Sequence, residues 1–169
     1  MALMKLTTFP DPVLFKKTEP YESIGDKEKV LVQDMIETMY YERGVGLAAN
    51  QVGLSKRLFV ASADGAHGKE LVFFNPEIIK KSGKLNEPEG CLSVPETYEH
   101  VTRYQEVTLR GMNLKGEWET VEARGLLARI FQHEVDHLDG KLFVHRLGWL
   151  KSRRTIKHLC TRYGKPPAE

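Results

Sequence analysis

The chain reads as an α+β fold with antiparallel strands, and three observations predict it. Its 169 residues suit a single domain. Helical spacing marks one segment near the start and two near the end, while the stretch between holds short strand-like runs. No regular alternation of strand and helix appears, so a parallel sheet is not expected. The first helix spans Asp26–Tyr41, where Val32, Met35, Ile36 and Met39 share a face and Gly44 follows where a helix ends. Arg57–Ser62 (RLFVAS) and Leu71–Asn75 (LVFFN) read as strands. Gln105–Arg110 alternates, and Glu117–Ala123 follows the turn-like Asn113–Gly116, which together make a hairpin. Leu126–Leu138 is the second helix and Trp149–Leu159 a C-terminal one.

Composition excludes several classes. With 41% apolar and 28% charged residues and a net charge of +2, disorder is not expected. No run approaches the roughly 18 apolar residues of a membrane span, and the opening MALMKLTTFPDP lacks the apolar stretch of a secretory signal. Cys91 and Cys160 are too few for a disulfide scaffold, which favours a reducing compartment and an intracellular protein. The small net charge hides an asymmetry: residues 1–139 hold 17 Lys and Arg against 22 Asp and Glu, a balance of −5. Residues 140–168 hold 8 basic side chains and no acid. A basic end on an acidic body suits contact with a polyanion such as nucleic acid or the ribosome. It equally suits a solvated helix with cations near its C-terminus, where the macrodipole favours them.

The most informative stretch is His133-Glu134-Val135-Asp136-His137. Histidines at i and i+4 face the same way and can share a metal ion, with the intervening glutamate within reach of a metal-bound water. A shuffled chain of this composition contains H-E-x-x-H about 2% of the time, so the pattern is suggestive by itself. Orientation adds weight. At about 100° per residue, Leu126, Leu127, Ile130, Phe131 and Leu138 fall in an arc of about 140°, with His133, Glu134 and His137 in or beside it. Arg129, Gln132, Asp136 and Asp139 fall outside, Arg129 at the arc's edge. Two imidazoles and a carboxylate facing an apolar core are costly unless something pairs with them. A catalytic metal needs a third protein ligand and an open position. Phe143 stands where a longer metalloprotease motif would place a third histidine, so the third ligand lies upstream or is His145. Cys91, beside Gly90, is the preferred choice, since a thiolate binds divalent metals strongly.

Gly44-Val45-Gly46-Leu47-Ala48-Ala49 matches a dinucleotide-binding turn in letters, but a helix rather than a strand precedes it, so that reading is rejected. Its glycines leave backbone groups free to pair with an extended ligand, and Gln51 can offer an amide N–H to a developing oxyanion.

Together Gly44-Val-Gly-Leu-Ala-Ala-Asn-Gln51, Glu89-Gly-Cys-Leu-Ser93 and Gln132-His-Glu-Val-Asp-His137, in this order and spacing, resemble peptide deformylases from Pro10-Asp-Pro to Gly140-Lys-Leu-Phe143. The resemblance implies the deformylase fold, antiparallel β-sheets around a central metal-binding helix with a C-terminal helix. It implies removal of the formyl group from the N-terminal formyl-methionine of nascent polypeptides, releasing formate, by metal-bound water with Glu134 as general acid/base. By matching position, Cys91, His133 and His137 are the metal ligands, and Gln51 with the Leu92 N–H forms the oxyanion hole. Val45, Gly46, Gly90, Leu126 and Ile130 line the methionine pocket and peptide groove. The implied cofactor is one divalent ion, Fe2+ first, with Zn2+, Ni2+ or Co2+ able to occupy the site. Tyr98 and Arg129 depart from the commonest bacterial pattern and bear on preference for residues after methionine. On this reading residues 1–147 are the catalytic body and 148–169 a basic C-terminal helix and tail of the same domain, in a cytoplasmic monomer of bacterial type, an organelle remaining an alternative. The basic segment is a candidate ribosome contact, and no membrane is expected. Two rivals stay open: an H-E-x-x-H zinc endopeptidase, and a non-enzymatic ribosome-binding module with a structural metal.

Overall fold

The computed structural model describes residues 2–168; Met1 and Glu169, the last residue of the basic tail, lie outside it. The apolar spacing of the first segment folds as α1 (Asp26–Tyr41), burying Val32, Met35 and Met39. Glu28 Oε2 accepts the Gly25 N–H at 2.8 Å and closes its first turn. Arg43 takes a left-handed φ of 58° and the Gly44 N–H bonds back to Met39 O, so the chain turns one residue before the glycine.

Seven strands follow: β1 (Gly46–Ala48), β2 (Leu58–Ala61), β3 (Leu71–Ser82), β4 (Leu85–Cys91), β5 (Val94–Arg103), β6 (Glu106–Met112) and β7 (Trp118–Arg124). Antiparallel pairing orders five of them β1-β2-β3-β6-β7, and β4 with β5 forms a separate two-stranded hairpin. The expected hairpin after residue 105 is β6–β7, in register from Glu106↔Arg124 to Met112↔Trp118. Strand β3 runs well past the Asn75 expected as its end. Asn75 adopts φ 50° while its side chain bonds both backbone groups of Tyr21, and the register with β6 shifts once across it, between Phe74 and Glu77, and again between Ile78 and Lys80.

Helix α2 (Gly125–Leu138) lies against one face of the five-stranded sheet, touching all five strands. Ala128, Phe131, Val135 and Leu138 pack with Phe59, Phe73, Val107 and Leu109. The rings of Phe59, Phe73 and Phe131 sit 5.4–5.8 Å apart in tilted and edge-on pairs. A second cluster joins Phe9, Leu14, Val94, Leu142 and Phe143 to Leu159 of α3 (Trp149–Tyr163), which runs four residues beyond its expected end at Leu159. Among the described residues no helix is long and apolar enough to cross a membrane.

The wheel reading of α2 is revised in one respect. Arg129, Gln132 and Asp136, outside the apolar arc, are all buried, whereas Leu126, inside it, is 53% exposed at the helix's open first turn. Beyond its open first turn the helix is covered on its polar face too, and Arg129, Gln132 and Asp136 are buried there because each finds a partner. Gln132 bridges both backbone groups of Tyr104, and Asp136 pairs with Arg103 and Arg146.

Candidate metal centre

Three side chains from two elements meet at one point. His133 and His137 project from successive turns of α2, and Cys91 ends β4, just before the two-residue turn Leu92–Ser93 that leads into β5. Their ligand atoms all lie within 4.8 Å of one another. Cys91 Sγ is 3.2 Å from His137 Nε2, which is 3.1 Å from His133 Nε2. Two imidazole nitrogens on one tetrahedral ion, each about 2.0–2.1 Å away, stand about 3.3–3.4 Å apart, so the cluster fits a single divalent metal with little movement. His145 stays outside: its Nδ1 accepts the Leu142 N–H at 2.9 Å.

The surroundings orient these donors. Glu89 Oε2 lies 2.7 Å from His133 Nδ1, the carboxylate–histidine arrangement that turns the opposite ring nitrogen toward a metal. Arg103 and Arg129 also donate to Glu89, and Arg103 reaches Asp136 on the next turn of α2. Burial alone would raise the Glu89 carboxyl, but hydrogen bonds from His133 and Arg103 outweigh it and hold Glu89 well below the usual carboxylate range. The end of α2 is pinned as firmly. His137 O accepts from Asn50 Nδ2, and Leu138 O accepts from Thr18 and Arg57.

Charge favours a cation here. Burial pulls the His133 imidazole down, yet the neighbouring Cys91 sulfur, Glu89 and Glu134 push it well above its ordinary value, so the spot attracts positive charge. His137 moves the other way, held well below its ordinary value by burial and by His133, and stays a neutral donor.

Glu134, 3% exposed, sits beside the cluster, and its Oε2 has no hydrogen-bond partner among the described residues. Burial pushes its carboxyl up to about 7. Its room depends on Gly46 of β1, where a Cβ would stand 2.4 Å from Glu134 Oε1. Gln51 lies across the site. Its Oε1 accepts the Ala48 N–H at 2.9 Å, which fixes the amide so that Nε2 points to Cys91 Sγ (3.5 Å) and Ser93 Oγ (3.2 Å).

A cleft of about 310 Å³ opens over the cluster. Val45, Gly46, Gly90, Leu126 and Ile130 stand on its wall with Gln51, Leu92 and Glu134. Strand β1 borders it as an edge strand, paired to β2 on one side alone. Tyr98, 76% exposed, pairs with Gly90 across the hairpin and covers it so closely that a Cβ there would stand 2.6 Å from the ring. Arg129 also reaches the cleft, with its guanidinium committed to Glu89 and to the carbonyls of Val101 and Leu85. Sequence reasoning missed Glu89, Arg103, Asn50 and Gln132 as supports. Glu89 carried a signal, adjoining Gly90-Cys91, whereas Arg103 lies in an alternating run that reads as solvated.

A cysteine sulfur and two imidazoles converging below a cleft, with a buried carboxyl group alongside, define a candidate metal centre on an α+β fold that suits hydrolytic chemistry. The polypeptide deformylase family model matches residues 3–153. The chain is 43% identical over 161 residues to a peptide deformylase of Acidobacterium capsulatum, covering 94% of this chain and 95% of the relative. It is 46% identical over 162 residues to one of Neisseria gonorrhoeae, covering 96% and 97%. Among solved structures, a peptide deformylase from Legionella pneumophila superposes with a TM-score of 0.87 at 40% identity, covering 98% of this chain and 100% of that one. One from Ehrlichia chaffeensis in complex with actinonin gives 0.86 at 35% identity, covering 96% and 99%. The chain belongs to the peptide deformylase family, a family of metal-dependent enzymes.

Proposed function

We propose that this chain hydrolyses the N-formyl group of formyl-methionine at the start of nascent polypeptides, releasing formate. The carrying observation is the Cys91–His133–His137 cluster at the floor of a cleft, with Glu134 buried beside it and Gln51 across it. Cys91, His133 and His137 would hold one divalent ion, Fe2+ first, with Zn2+, Ni2+ or Co2+ as substitutes. Such an ion would make a water at the site far more acidic and would polarise a carbonyl.

The chain's own groups do the rest. Glu134 Oε2, with no hydrogen-bond partner among the described residues, takes the attacking water's proton and returns it to the leaving amine. Its raised carboxyl suits a proton shuttle near neutral pH. The Gln51 amide, locked by the Ala48 N–H, and the Leu92 N–H donate to the oxygen that gains charge. A donor of that kind contributes about 3 kcal/mol. The free edge of β1 at Gly46, with Val45 just before it, faces the extended peptide, while Gly90, Leu126 and Ile130 bound the methionine side chain.

Formyl is the smallest acyl group, and the site is expected to exclude a larger one by steric clash; Glu134 already packs so closely on the cleft wall that a Cβ on Gly46 would stand 2.4 Å from its Oε1. Formate release from a formyl-Met tripeptide, set against acetate release from its N-acetyl counterpart, tests the assignment. Cleavage of the formyl peptide alone is expected; similar kcat/KM for both would remove the steric argument.

We also propose a cytoplasmic monomer that meets the ribosome through α3. The basic segment is partly spent on the chain itself, since Arg146 pairs with Asp136, Lys151 with Glu99 and Arg162 with Glu96. Arg153, Arg154 and Lys157 have no acidic partner among the described residues, and they form the cationic face available to RNA phosphates.

A further inference from the structure

The two oxyanion donors stand on separate turns, far apart in sequence. Gln51 belongs to the short 3-10 turn Ala49–Val52, and Leu92 to the turn that joins β4 to β5. Among the described residues, direct hydrogen bonds between the two turns come from the Gln51 amide alone, at 3.5 Å to Cys91 Sγ and 3.2 Å to Ser93 Oγ. The first is an ordinary length for a sulfur acceptor and the second is at the long end for an oxygen, and that amide must stay available to a substrate oxygen. Something else has to hold the turns together.

The N-terminal segment does so. The Thr7 N–H donates to Gln51 O at 2.7 Å and the Phe9 N–H to Ser93 O at 2.8 Å. In an extended chain alternate N–H groups point the same way, so residues 7 and 9 offer two donors on one edge while exposed Thr8 faces out. Both acceptors are main-chain carbonyls of the turns that carry the donors, one at Gln51 itself and one directly after Leu92. The segment is tethered at both ends. Upstream, the Met4 N–H bonds Thr38 Oγ1 of α1, and Met4 and Leu6 pack against the cluster around α1. Downstream, the Phe9 ring is buried in the other core cluster, edge-on to Phe15 at 5.8 Å. The segment therefore bridges two core clusters across the back of the site.

We propose that Thr7–Phe9 is a positioning strap that sets the spacing between the Gln51 amide and the Leu92 N–H. Thr7 acts through Gln51 and Phe9 through the Leu92–Ser93 turn; neither touches the substrate. This rests on the oxyanion role given to those two donors. Removing a donor outright costs 10²–10³ in kcat, so letting one drift costs less, about tenfold.

The test is a double-mutant cycle between Thr7→Pro, which deletes the strap's N–H, and Gln51→Ala. Each variant is read for kcat and KM on a formyl-Met tripeptide, bound metal and thermal midpoint. Thr7→Pro should lower kcat about tenfold with KM and metal content held, and Thr7→Val, which keeps the N–H, should recover most of it. In the Gln51→Ala background the Thr7→Pro effect should shrink to less than twofold. If the two losses multiply in full, or Thr7→Pro leaves kcat intact, the strap is overturned while the oxyanion assignment stands. If Gln51→Ala alone leaves kcat intact, the oxyanion reading fails and the strap falls with it. Should Thr7→Pro not fold, a chain lacking residues 2–6 frays the strap from its free end and is read in the same way; loss of fold in both would make the segment a structural tie and overturn the proposal.

Discussion

An alanine at Gly46 probes the placement of Glu134 without touching its chemistry. Built on the existing backbone, the new methyl would stand 2.4 Å from Glu134 Oε1 and 3.0 Å from Ile130 Cγ2. Favourable contact begins near about 3.5 Å, so the carboxylate must retreat by about 1 Å. Neither side yields easily, because β1 is fixed to β2 by the Gly46↔Ala61 pair and Glu134 sits on a helix buried on nearly every face. A displacement of about 1 Å at a reacting group costs about 10²-fold, and overpacking of this kind costs about 1–3 kcal/mol of stability. Gly46→Ala should therefore fold, melt a few degrees lower, keep its metal and lose about 100-fold in kcat. Formate release under saturating formyl-Met tripeptide reads the rate, elemental analysis reads the metal, and thermal melts confirm folding. A folded, metal-loaded Gly46→Ala with kcat within twofold of the parent would show that Glu134 need not be where the structure puts it.

Four other perturbations follow from the same contacts. Glu134→Ala should retain metal, because the three ligands are untouched, yet lose about 10²–10⁴ in kcat; near-normal turnover in a formate assay would take Glu134 out of the mechanism. Glu89→Gln withdraws the anion that Arg103, Arg129 and His133 share, so metal affinity by chelator competition should fall about 10- to 100-fold; unchanged affinity would make Glu89 a packing residue. Glu89 and Asp136 both hold their carboxyls below the ordinary range despite burial, because arginines and His133 bond the charged forms. Their stabilisation is thus complete above the unfolded carboxylate pKa of about 4 and is lost as pH falls below it, and a melting temperature that stays flat from about pH 6 to pH 3 would contradict this. Charge reversal at Arg153, Arg154 and Lys157 should weaken ribosome binding and flatten its salt dependence while leaving free-peptide hydrolysis intact; equal binding would assign α3 to solvent.

Much of this fold can be read from residue order because its local signals agree with its packing. The apolar spacing of α1, most of that of α2 and the alternation of β6 appear as buried faces, whereas β7 buries Ala123 alone. Three strands were not legible. β1 is three residues of a glycine-rich run, too short for alternation to show. β4 and β5 carry Glu, Pro, Asn and His in a hairpin whose outer face is wet, so they lack an apolar stripe. The burial of Arg129, Gln132 and Asp136 was hidden for another reason. Periodicity assigns polar residues to solvent, whereas here each meets a partner outside the helix: Glu89, Tyr104 or Arg103, 28 to 40 residues away, and for Asp136 also Arg146, 10 residues on. Such pairing is a property of the tertiary fold, and periodicity along the helix does not carry it. The histidines of the cluster were more visible than their supports, since i, i+4 histidines around a glutamate carry geometry in their spacing and Glu89 does not.

X-ray absorption at the metal edge of the anaerobically purified protein addresses the central claim most directly. The cluster predicts one sulfur at about 2.3 Å, two imidazole nitrogens at about 2.0–2.1 Å and one light solvent oxygen. A spectrum with no sulfur, with two, or with a third imidazole closing the coordination would contradict it.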